Sequence, residues 1–369
     1  MLIANQVSST RFVVTFARAC IGHPSHPNAP QWLQLCAHAL KFVNEVHWSD
    51  IRKRFAWTLE WKDSQARVLD TNQYCYGLAF VLLAHAMALM AGIEAAHNGI
   101  ASTFSLMNEK FWDAKNGLYL DTIDECGGVM QYRGQNPNMH CVEALLAAYQ
   151  ATANRDYLER ANAVAVSVTQ RLASHTPSNL IWEHFNGDNW QPDWTYNKGD
   201  CLGQKHFRPW GFQPGHLVEW AKLLLQLEEY GSSSSPRIDN GWMIQRSQHL
   251  FDAAMTYGWD CTHGGLYYCF DLEPPHAACD DDKYHWVQSE AFAAAAMLAR
   301  RTGEEKYALW YDRCDMNTDV SSFSLSILSH RIWSYCWANF VDHKHGGWFC
   351  QLRRDNGKID DRKSPMGEM

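Results

Sequence analysis

A chain of 369 residues that is 46% hydrophobic and 20% charged carries the material for a substantial core, which excludes general disorder. Its formal net charge of −8 excludes a nucleic-acid or anionic-membrane surface, because either would need clustered positive charge. The 17 Trp, 15 Tyr, 16 Phe and 18 His supply flat rings and near-neutral bases, a combination that suits a small neutral polyol such as a sugar. The 12 Cys show no C-x-x-C pair and no zinc spacing, so they are predicted to be buried, reduced thiols of a cytoplasmic protein.

The start, "MLIANQVSSTRF", has neither the charged nor the apolar region of a signal peptide. The first strongly apolar element lies in "NQYCYGLAFVLLAHAMALMAG". Its stretch from 77 to 93 is short, Ala-rich and interrupted by His85, so it is predicted to be a buried helix and not a membrane span. "NPNMHCVEALLAAYQATAN", "QPGHLVEWAKLLLQLEEY" and "KYHWVQSEAFAAAAMLARRTG" repeat the pattern: a polar or aromatic opening, then a helix apolar nearly all round. Such helices must be covered on both sides. Between them, "NRDYLERANAVAVSVTQRLAS" and "IDNGWMIQRSQHLFDAAMTYG" are amphipathic and can face solvent. "FWDAKNGLYLD", "GWDCTHGGLYYCFD" and "FVDHKHGGWFCQL" each run from aspartate through glycine to alternating aromatics, which predicts small hairpins. The repeat of helix pairs, on the order of 50 to 80 residues, fits an open solenoid or a closed barrel. Polar residues gather at one end of the inner helices, which favours a closed barrel with one mouth.

The helix openings hold the chemistry. In "GFQPGHLVEWAKLLLQL", His216, Glu219 and Trp220 share one face, because residues three and four apart are neighbours on a helix. Histidine moves protons near neutrality, and the positive end of a helix dipole disfavours imidazolium, so His216 is predicted to be neutral and able to accept a proton. Glu219 can orient that ring or hold a substrate hydroxyl. His140 and Glu143 repeat the spacing. The amides of Asn136 and Asn138 suit sugar hydroxyls, although Asn138 could instead cap the helix that follows. The H-x-x-E pairs lack the close multi-ligand spacing of a zinc helix, so no metal is expected.

Together, "YRGQNPNMHCVEALLAAYQAT", "FRPWGFQPGHLVEWAKLL", "KYHWVQSEAFAAAA" and "FVDHKHGGWF" resemble the N-acylglucosamine 2-epimerase superfamily, and within it most the mannose isomerase branch of aldose–ketose isomerases. The resemblance runs from about Ser9 to Gly367. It implies an all-α (α/α)6 barrel, one domain over residues 1–369, no metal or organic cofactor, and a sugar pocket at the mouth. It also implies the reaction: an aldose and its 2-ketose interconverted through a cis-enediol by histidine acid–base chemistry. A 2-epimerase of N-acylglucosamine or a hexose is the alternative, and an inactive sugar-binding relative is the alternative of another class. By resemblance His216 is one of two catalytic histidines, and Arg11 and Arg208 bind the sugar. Tyr76, Trp286 and Glu290 occupy matching substrate positions on other inner helices, while His285 departs from the pattern and is read as packing. The expected partner is a monosaccharide, with no nucleic acid or membrane and a homodimer left open.

Two departures accompany the resemblance. "CDMNTDVSSFSLSILSHRI", about 314–332, is a Ser-rich insert. The ending "DDRKSPMGEM" stops where the family continues into K-x-D-Y-H and a last inner helix bearing the second catalytic histidine. The closing helix is therefore expected to be missing and the activity weak.

Overall fold

Helix boundaries in this chain follow local chemistry, as a computed structural model shows for residues 2–63, 65–199, 208–273, 277–311 and 332–359. The insert expected at 314–332, Ile332 apart, and the K-S-P-M-G stretch lie outside the described residues. Contacts divide the described residues into two units. One holds the residues up to Val168 with His184–Pro192, and the other holds Thr169–Glu183 with the residues from Asp193 onward.

The helices of the first unit are α1 (Gln6–Gly22), α2 (Ala29–Phe42), α3 (Cys75–Met90), α4 (His97–Lys110), α5 (Gln135–Thr152) and α6 (Arg155–Val166). At the start of α1 the Asn5 side chain accepts the Val7 N–H at 2.9 Å, and Asn154 does the same for Asp156 at the start of α6, satisfying donors that a helix end leaves open. Helix α3 packs against α1 and α5 and is buried without a break from Gly77 to Ala88, as its apolar composition requires. Helix α6 buries Tyr157, Leu158, Ala161, Val164 and Ala165 at helical spacing and exposes Asp156 and Glu159. Inner and outer helices are thus distinguished by pattern alone. No helix among the described residues is long and apolar enough to cross a membrane.

In the second unit, α7 (Pro214–Ser233) packs against α8 (Met243–Gly258) and α9 (His285–Thr302), and α9 packs against α10 (Glu305–Tyr311) and α11 (Ile332–Asn339). The end of α9 is set by Gly303, whose φ of 72° and N–H to the Ala299 carbonyl stop the helix in the left-handed region.

The three expected hairpins form, and one device closes each. The carboxylates of Asp113, Asp260 and Asp342 each accept backbone N–H groups two and three residues on, at 2.9–3.2 Å. The residues beyond then pair back, Trp112 with Tyr119, Trp259 with Leu266 and Val341 with Trp348. A three-stranded antiparallel sheet of Leu2–Asn5, Thr58–Lys62 and Gln65–Asp70 has no counterpart in the sequence reading. The described cysteines are all free thiols, as expected, but Cys126, Cys261 and Cys279 are exposed, so burial is not general.

Two histidines are built into the first unit as neutral core groups. His47 donates from Nδ1 to the Ala56 carbonyl and accepts the Ser9 hydroxyl at Nε2, each at 2.9 Å, and His85 donates to the Val81 carbonyl at 2.9 Å. Burial lowers both below the ordinary imidazole value, with the carbonyl bonds partly opposing. The unfolded chain therefore takes up protons where the folded chain does not. This contribution to stability is fully present above about pH 6.5 and is lost as pH falls below it. We expect the urea midpoint to drop between about pH 7.5 and 5.5 and His47→Gln to flatten the slope; a pH-independent midpoint would contradict this.

Candidate active site

The site in the second unit is built on the first turn of α7. Pro214 opens the helix, where its fixed φ is favourable and its missing N–H is not needed. Gly215 follows, and a Cβ there would lie 2.6 Å from the Trp286 ring of α9, so only glycine lets that indole lie on the turn. His216 comes next, its ring centroid 5.4 Å from Trp286 at 38° and its Nδ1 2.9 Å from Oε2 of Glu183. Both partners of that pair are buried. Tyr268 extends the aromatic wall, 6.2 Å from Trp286 and 4.3 Å from Tyr284, and burial, ahead of the surrounding ionisable groups, pushes its phenol well above the usual range.

Other expected residues of this unit are placed as follows. Glu219 is buried one turn along α7. It was a candidate to orient the imidazole, yet the group on Nδ1 is Glu183. Glu290 of α9 is in a short ion pair with Lys222 of α7, and Arg208 donates to the Tyr196 hydroxyl at 3.3 Å. Glu183 and Lys222 are absent from the sequence reading. Lys222 lies three residues beyond Glu219 on the same face, a spacing that could have drawn attention to it. Glu183 offers only an acid inside the apolar run "LIWEHF".

In the first unit, three expected residues gather around Phe80. The Arg11 guanidinium lies 5.1 Å from its centroid, Tyr76 5.0 Å and His140 4.9 Å, and Tyr76 meets His140 edge-on at 5.1 Å. His140 Nδ1 lies 3.1 Å from Glu143, whose other oxygen is 3.7 Å from Arg18. Asn136 is half-buried, and its amide oxygen has no hydrogen-bond partner among the described residues. Asn138 is placed otherwise. It is completely buried, accepts the Tyr119 N–H at 2.8 Å and donates to the Tyr119 and Gly134 carbonyls at 2.9 and 3.2 Å. Gln288 of α9 clamps Leu266 in the same way, at 2.9 Å in both directions. Asn138 therefore ties a hairpin to its helix and keeps no amide group for a sugar.

The Gly215 contact gives a direct test. Alanine is favoured over glycine in a helix by up to about 1 kcal/mol, less in the first turn where Gly215 lies, and the overlap with Trp286 is expected to outweigh that and destabilise Gly215→Ala by about 1–3 kcal/mol. Denaturation followed by tryptophan fluorescence reads both the stability and the displaced indole. A stabilised variant with an unchanged spectrum would contradict the close contact.

The chain is similar to known sugar enzymes over nearly its whole length. A D-mannose isomerase of Marinomonas mediterranea is 40% identical over 364 residues, which cover 98% of this chain and 82% of that protein. A crystal structure of D-mannose isomerase matches with a TM-score of 0.84 at 39% identity, covering 99% of this chain and 84% of that one. The cellobiose 2-epimerase of Spirochaeta thermophila matches at 0.75 with 17% identity, covering 97% and 80%, and bears on the fold alone. The class is thus an all-α enzyme of (α/α)6-barrel fold, a sugar isomerase or epimerase. The chain belongs to the N-acylglucosamine 2-epimerase (GlcNAc 2-epimerase) family, whose model matches residues 4–320.

Proposed function

We propose that the chain interconverts an aldose and its 2-ketose, of the mannose and fructose type, with His216 as the base. What carries this reading is the His216 ring, buried against Trp286 at the tip of α7, in a chain 40% identical to a D-mannose isomerase. Aldose–ketose interconversion needs a weakly acidic proton removed from C2 and returned to C1, with a cis-enediol between. An imidazole works near neutral pH in both directions of that transfer. Glu219 serves the hydroxyl protons that must move as the carbonyl changes place. Arg11, Tyr76, Asn136, His140, Glu143, Arg208, Trp286 and Glu290 are assigned to sugar binding. Proton transfer of this kind needs no metal or organic cofactor.

Incubation with mannose in the presence of EDTA should yield the ketose. A C2 epimer without ketose would move the assignment to the 2-epimerases, and loss of activity restored by one divalent ion would overturn the cofactor-free chemistry. Within the same reading, His140→Ala should raise KM more than it lowers kcat, the signature of lost substrate binding. The opposite split would make His140 a proton carrier.

A further inference from the structure

We infer that Glu183 is the positioning residue for His216, fixing both its tautomer and its ring plane; this rests on the reading of His216 as the base. The Nδ1–Oε2 distance of 2.9 Å joins side chains that are 8% and 3% exposed. Such a pair is not a screened surface contact, and a carboxylate this deep is strongly disfavoured unless a donor meets it. Glu183 is itself held by what precedes it. Trp182 is fully buried among Trp194, Trp210 and Phe212, at centroid distances of 4.7, 6.0 and 5.1 Å, and its indole N–H donates to the Asp193 carbonyl at 3.2 Å. Trp286 covers one face of the imidazole while Glu183 holds its edge. Turning the ring over would set a C–H against the carboxylate.

The chemical consequence follows from the donor inventory. An ionised carboxylate only accepts, so Nδ1 carries the ring proton and Nε2 carries the lone pair that takes the proton from carbon. When Nε2 is protonated the ring is cationic, and the Glu183 charge stabilises it without itself taking a proton, as the buried acid does in serine-protease triads. Nε2 then delivers a proton, either that one or one exchanged onto it from solvent, to the neighbouring carbon.

The wild-type protein can be tested without any activity. Nitrogen NMR of the chain labelled in its histidine rings, with the His216 signals identified by their loss in His216→Gln, should show Nδ1 protonated and Nε2 bare. The reverse tautomer would overturn the inference. Glu183→Gln should lower kcat about 100-fold or more with KM changed less than about threefold, and Glu183→Asp should recover part of the loss. If His216→Ala is inactive while Glu183→Gln turns over normally with an unchanged tautomer, the inference fails and the base stands. Normal turnover in His216→Ala would instead remove the base. Should Glu183→Gln fail to fold, the wild-type tautomer decides.

Discussion

His216→Ala is expected to lower turnover of mannose by at least about 100-fold, equivalent to about 2.7 kcal/mol of barrier, because general acid–base groups contribute on that scale. The loss should appear in kcat. The side chain touches Glu183 and Trp286, so truncation also leaves a buried carboxylate without its donor, and part of any effect could come through the fold. His216→Gln separates the two, since its amide can still donate to Glu183 but cannot accept a proton from carbon at neutral pH. Both variants should be inactive, and the glutamine variant should melt closer to the parent. Near-normal turnover in either would return His216 to a packing role.

The second large effect is on stability. Lys283 and Asp260 are 0% and 1% exposed, with Nζ and Oδ2 3.0 Å apart. The same ammonium donates to the Arg354 carbonyl at 2.7 Å and to the Asn356 side chain at 3.1 Å, and the Tyr335 hydroxyl donates to Asn356 at 2.7 Å. Burial lowers the Lys283 ammonium, with the Asp260 contact opposing; burial would raise the Asp260 carboxyl, but bonds from Lys283 and the hairpin N–H groups hold it below its usual value. Lys283→Met removes the buried cation and leaves the buried carboxylate only the more exposed His263 and Arg354, at 3.3 and 3.9 Å, which should cost about 3–5 kcal/mol. Adding Asp260→Asn removes the stranded charge, so the double variant should lose less than the sum of the single losses. Urea denaturation of the three variants measures this, and a Lys283→Met loss below about 1 kcal/mol would show the pair contributes little.

These residues mark how far the sequence can be read. Helices α3, α5, α7 and α9 are legible because a run that is apolar on every side has to be covered, and the hairpins are legible because Asp, Gly and aromatic side chains follow in a fixed order. The N-terminal sheet is not. Its strand Gln65–Asp70 is exposed along nearly its whole length, so it shows no alternation of apolar and polar residues. His216 and Trp286 stand out through their place in recognisable motifs, whereas Glu183 reaches His216 across 33 positions from a segment with no periodicity. Asn136 and Asn138 carry the same amide two residues apart. Only the register of α5 decides that one is wholly taken up by Tyr119 and Gly134 while the other keeps a buried oxygen without a partner among the described residues.

Incubating the chain with mannose in deuterium oxide and following the sugars to equilibrium by NMR tests proton transfer between C1 and C2 most directly. Histidine catalysis through an enediol calls for fructose carrying solvent deuterium at C1, formed equally well with EDTA present. Deuterium at C2 of a new aldose with no ketose, or fructose that stays free of deuterium at equilibrium, would contradict it.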